Sequence, residues 1–141
     1  MSIRRNAAAT VVALALSGAV MVPTATAAPA ERAGSVGALA CATKTLTTGY
    51  QKVGTTVNKS GSSSCNDLNL TWSNDAQSSY GDSYRGFYKA SSGWKAGSRG
   101  YVWAGDGSHS PWKVLLSDVA AGTPMGVGSY YDGGDSVTVA H

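Results

Sequence analysis

The chain has 141 residues and a formal net charge of +3, with two His, two Cys, four Trp and seven Tyr. Two of the basic residues, Arg4 and Arg5, lie at the extreme N-terminus, and the rest holds nine basic against eight acidic residues. That near-balance excludes a strongly cationic nucleic-acid or membrane-surface binder.

Residues 1–27 read as a secretory signal peptide. Arg4 and Arg5 form a positive n-region, residues 7–22 are apolar or small without charge, and Ala25-Thr26-Ala27 is an A-x-A cleavage site. A membrane anchor fits less well, because the apolar run is short of the ~20 residues a span needs. The expected product is a secreted, extracellular chain with no membrane attachment after cleavage. Residues 28–40 are rich in Ala and Gly and lack periodicity, as a flexible lead-in does. Residues 41–141 then form a single β domain.

Cys41 and Cys65 are the only cysteines, and an even count in an exported chain predicts a disulfide. In the chain-entropy model, closing a loop of this size stabilises by roughly 3 kcal/mol. A metal site joining them to His109 and His141 is disfavoured by the wide Cys spacing.

From Cys41 onward the pattern is that of strands. Residues 43–48 and 53–57 are rich in β-branched side chains. In residues 67–73 the apolar positions are Leu68, Leu70 and Trp72, a period of two that predicts one shared sheet face. Trp112, Val114 and Leu116 form a second such set, and Val137 and Val139 a third. Gly49, Ser60-Gly61-Ser62, Asn74-Asp75, Gly81-Asp82, Ser92-Gly93, Gly105-Asp106-Gly107, Gly122 and Asp132-Gly133-Gly134-Asp135 punctuate them as turns. The expected fold is all-β, a small antiparallel sandwich or barrel of about seven to eight short strands with one disulfide.

Arg85-Gly86-Phe87, followed by Trp94-Lys95, is echoed by Arg99-Gly100-Tyr101, followed by Trp112-Lys113. This is either a duplicated strand-loop unit or a coincidence of a Gly- and Tyr-rich composition. Alternation places Arg85, Phe87 and Lys89 on one face of their strand and Arg99, Tyr101 and Trp103 on one face of theirs. If the charges face solvent, the aromatics do too. Gly86, Tyr88 and Ala90, with Gly100, Val102 and Ala104, then form a mostly small opposite face that can approach a second sheet closely.

Arg85, Phe87, Arg99, Tyr101 and Trp103 are therefore the candidate ligand-binding residues, on an Arg-and-aromatic surface suited to an extracellular polysaccharide or protein. The competing reading makes the aromatics half-buried strand residues and the Arg stems packing elements.

Catalytic chemistry is thinly supplied. Apart from His141, the last residue, His109 is the one His of the domain; Asp106 and Ser108 are too close to it along the chain for a triad, and no G-x-S-x-G elbow exists. The only Glu, Glu31, lies in the lead-in, leaving no obvious carboxylate pair. No catalytic residue, cofactor or metal is assigned. One open feature is Asp132-Gly133-Gly134-Asp135-Ser136, where two carboxylates in a Gly-rich turn are either a plain hairpin or a calcium loop.

The sequence thus leads to a secreted, non-catalytic binding protein that takes a carbohydrate or cell-wall polymer. The alternatives are a secreted inhibitor or partner of an extracellular enzyme, presenting residues 105–112 as a loop, and a small hydrolase using His109.

Overall fold

Period-two stretches of the sequence become strands, and the Gly, Asp and Asn positions between them become turns. The structure is a computed structural model that describes residues 40–141. The signal peptide and nearly all of the lead-in fall outside the described residues. The described residues form ten strands: β1 (Thr43–Thr47), β2 (Gly49–Tyr50), β3 (Thr56–Asn58), β4 (Leu68–Asn74), β5 (Asp82–Ala90), β6 (Gly93–Ala96), β7 (Val102–Ala104), β8 (Gly107–Leu116), β9 (Pro124–Ser129) and β10 (Ser136–Ala140).

These strands make an all-β sandwich. One sheet has the order β1-β10-β4-β8; the other has β2-β9-β5-β6, with β3 also on β9 and β7 also on β5. Pairing is antiparallel except between β2 and β9. The core lies between the sheets and is built from Leu46, Leu68, Leu70, Leu115, Leu116, Val137 and Val139 on one side and Tyr84, Ala104, Met125 and Val127 on the other. Gly86 sits where the sheets approach closely, since a Cβ there would lie 2.5 Å from Leu116 Cγ. The disulfide joins Cys41, just before β1, to Cys65 in the β3–β4 connection. Such a bond belongs to an oxidising compartment, and among the described residues no helix is long and apolar enough to cross a membrane.

Irregularities in the pairing of β4 with β10 and β8 displace the expected faces. On β4, Leu70 pairs with Val139 and Trp72 with Thr138, leaving Thr71 as an extra residue. The face therefore flips after Leu70: Ser73 turns fully inward opposite Val137, and Trp72 leaves the face of Leu68 and Leu70. On β8, Leu116 pairs with Leu68 and Val114 with Asn69, so Leu115 is extra and joins Leu116 in the core. Trp112 stands exposed rather than sharing the buried side of Leu116. The Arg-Gly-aromatic echo also divides here. Its first copy lies within β5, whereas Arg99-Gly100-Tyr101 precedes β7, which pairs with β5 itself.

Candidate functional site

Register builds the outer face of the larger sheet row by row. Ser83 on β5 lies opposite Trp103 on β7, and the Tyr130 N–H donates to the Ser83 carbonyl from the other side. Arg85 and Gly128 make the next row, and Phe87, Gly126 and Ala96 the one after. Gly126 and Gly128 are buried beneath the β2–β3 connector, so the exposed part of this face is a shelf of aromatics at its Ser83 end. The Tyr101 and Tyr130 rings meet edge to face at 5.1 Å, and Tyr130 meets Tyr131 at 5.0 Å in the same manner. Tyr50 joins the rim through Gln51, whose side-chain amide donates to the Tyr50 hydroxyl and to the Tyr130 carbonyl. Trp103 is 52% exposed and Tyr131 66%.

The five residues singled out by sequence divide on this framework. Tyr101 and Trp103 belong to the shelf. Arg85 lies on the same face, but its Nε and Nη2 both donate to the Gly97 carbonyl, at 2.9 and 2.7 Å, and its guanidinium stands 5.7 Å from the Tyr101 ring centre. It supports the shelf from beneath. Burial raises the Tyr101 phenol above its ordinary pKa, against the opposing charge of Arg85.

Phe87 shares the predicted face but is buried, contrary to its expected exposure. Gly126 and Gly128 let the β2–β3 connector lie over β9 there; a Cβ on Gly128 would meet the Lys52 carbonyl at 2.4 Å and the Phe87 ring at 2.8 Å. Arg99 does not join Tyr101 and Trp103. The chain turns at Gly100 with φ +74° before β7 begins, and Arg99 Nε donates to Ser117 Oγ. There it lines a separate cleft of about 500 Å³ with Tyr88, Leu116 and Val119. Tyr50, Tyr130 and Tyr131 were not legible as shelf residues, because β2 and the β9–β10 loop reach it only through long-range pairing.

The loops at one end of the sandwich gather five of the chain's acidic residues. The Asp106 carboxylate accepts the Asp75 N–H, Asp135 Oδ1 accepts the Ala76 N–H, and Asp82 accepts the N–H groups of Tyr131 and Asp132. Carboxylate oxygens of Asp75, Asp132 and Asp135 all lie within 4.8 Å of one another. Burial pushes Asp132 up to about 6, aided by the charges of Asp135, Asp75 and Asp82. Asp135 is raised as well, chiefly by burial. At Asp75 burial acts upward too, but the Ser78 hydroxyl and the N–H groups of Gln77 and Ser78 outweigh it and hold the carboxyl below its usual range.

His109 lies within β8, half-buried, rather than on an exposed loop. Its Nε2 is 2.9 Å from Ser73 Oγ, and Ser73 donates its own proton to the Gly105 carbonyl. Residues 107–112 are strand too, so the proposed inhibitory loop shrinks to Gly105 and Asp106.

No protein-family model, curated protein or solved structure matches this chain.

Proposed function

We propose that this protein is an exported, non-catalytic binding module that holds a neutral polysaccharide against the outer face of its larger sheet. The observation that carries this reading is the continuous run of Tyr101, Tyr130 and Tyr131 beside a half-exposed Trp103. Aromatic faces cover the C–H faces of sugar rings, and phenol hydroxyls at the rim suit sugar hydroxyls. Single exposed apolar residues are ordinary, whereas a contiguous patch marks an interaction surface.

Charge supports a neutral ligand over an acidic one. Arg85, whose guanidinium faces the Tyr101 ring, bonds the Gly97 carbonyl, and Asp82 and Asp132 lie behind Tyr131. An anionic polymer would meet carboxylates at that end with no free guanidinium to offset them. The test is co-sedimentation of the purified protein with insoluble neutral polysaccharides. Retention by at least one polymer, reduced in Trp103→Ala and kept in Trp112→Ala on the other sheet, is expected. Retention by none, with capture of a secreted hydrolase instead, would favour the protein-partner reading.

A further inference from the structure

The geometry points to a calcium site at the acidic end of the sandwich, with Asp75, Asp132 and Asp135 as its carboxylate ligands. The site adjoins the outer face, because Asp132 follows Tyr131 of the shelf, and its test reads the cation alone. Two loops supply it: Asp75 comes from the β4–β5 loop, and Asp132 and Asp135 from the two sides of the Gly133-Gly134 turn before β10. Ca²⁺ sits ~2.3–2.6 Å from each ligand oxygen, so oxygens within about 5 Å of one another can share one ion. All three carboxylates meet that condition.

Proximity alone is a weak argument, and the hydrogen bonds sharpen it. Asp135 is fully buried, yet its Oδ2 has no donor, and Asp132 Oδ1 is likewise buried and unpartnered. Asp82 beside them has its oxygens taken by the backbone N–H groups of Ser83, Tyr131 and Asp132. The chain supplies donors to Asp82 and Asp75, whereas Asp135 Oδ2 and Asp132 Oδ1 receive none, and the two carboxyls lie close enough to share a proton in the metal-free protein. The charges that bear on Asp132 and Asp135 are those of other aspartates. A buried carboxylate without donor or counter-charge is costly, and a cation meets both deficits. The Tyr84 hydroxyl, also buried, lies close enough to feel the charges of Asp135, Asp82 and Asp75.

The donor set selects the ion. Carboxylate oxygens without His or Cys suit hard cations rather than zinc or copper. Ligands drawn from two loops suit the adaptable coordination of Ca²⁺, whereas Mg²⁺ demands a near-ideal octahedron and keeps its waters. Binding would tie the β4–β5 loop to the β9–β10 loop.

The experiment treats the full exported protein with chelator, desalts it, and titrates CaCl₂ calorimetrically with thermal melting alongside. Saturable one-to-one binding is expected, with the melting temperature raised by roughly 10 °C at a hundredfold excess over the dissociation constant. Tb³⁺ should bind in its place, with luminescence excited through the nearby tyrosines and quenched by added Ca²⁺. Asp135→Asn should weaken Ca²⁺ at least a hundredfold while melting no lower than the metal-free wild type, because it removes a buried like charge. Asp132→Asn, at a position with no backbone donor to lose, gives the same reading should Asp135→Asn fail to fold. Absence of heat and of any melting shift at millimolar Ca²⁺, tighter binding of Mg²⁺ than Ca²⁺, or undiminished affinity in both variants would each overturn the site.

Discussion

Gly128→Ala is the substitution that most directly probes how the outer face is assembled. The added Cβ would fall 2.4 Å from the Lys52 carbonyl oxygen and 2.8 Å from the Phe87 ring. A carbonyl is backbone and cannot rotate away, so the β2–β3 connector must lift. Overpacking of this kind costs about 1–3 kcal/mol. Lifting the connector also strains two backbone bonds that hold it, Gln51 N–H to Ser129 O at 2.8 Å and Gly54 N–H to Val127 O at 3.1 Å. At about 1 kcal/mol each, the total is roughly 3–5 kcal/mol. For a domain of this size that lowers the melting temperature by about 15–25 °C. Differential scanning calorimetry is the assay, with Gly61→Ala as control, since a Cβ at Gly61 meets nothing within 4 Å. Gly128→Ala melting within about 2 °C of wild type would refute the seating of the connector on β9.

Three further outcomes follow from named contacts. Trp103→Ala should weaken polysaccharide binding roughly tenfold: about half of a ~250 Å² side chain is exposed, and covering half of that at ~25 cal/mol/Å² gives about 1.5 kcal/mol. Replacing Cys41 and Cys65 by Ser should cost roughly 3 kcal/mol by the loop-entropy estimate, read as a lower denaturation midpoint with an altered m-value. His141 Nδ1 accepts the Ser60 N–H at 3.0 Å, and burial, then the Lys59 charge, hold its pKa below 6.5. The unfolded chain therefore takes up a proton that the fold does not. Stability that depends on neutral His141 is full above pH 6.5 and lost as pH falls through the folded pKa. The stability gap between wild type and His141→Asn should narrow over that window, and the His141 imidazole should titrate below 6.5 by NMR.

Much of the fold was legible because its signals are local. Alternation located the cores of β4, β8 and β10, the Gly and Asp clusters located the turns, and the cysteine count located the disulfide. The bulges at Thr71 and Leu115 were not legible. A bulge is set by how two strands pair, and nothing near Trp72 in sequence announces that Ser73 replaces it on the inner face. The same distinction runs through the shelf. Arg85, Phe87 and Lys89 do share a face, yet Phe87 is hidden by a connector that lies more than thirty residues earlier in the chain. Arg99 was misplaced because Gly100 takes a left-handed turn where continuous alternation was expected. The carboxylate pair of Asp132 and Asp135 was visible as a turn, but Asp75 joins it only when the β4–β5 and β9–β10 loops are brought together.

The central claim is that the aromatic shelf binds a neutral sugar polymer. Its most direct test is tryptophan fluorescence of the purified protein titrated with soluble oligosaccharides from whichever polymer sediments it. A saturable shift whose midpoint rises about tenfold in Trp103→Ala and is unchanged in Trp112→Ala is the expected result. An unchanged midpoint in Trp103→Ala, or no shift with any oligosaccharide that the intact protein retains, would contradict it.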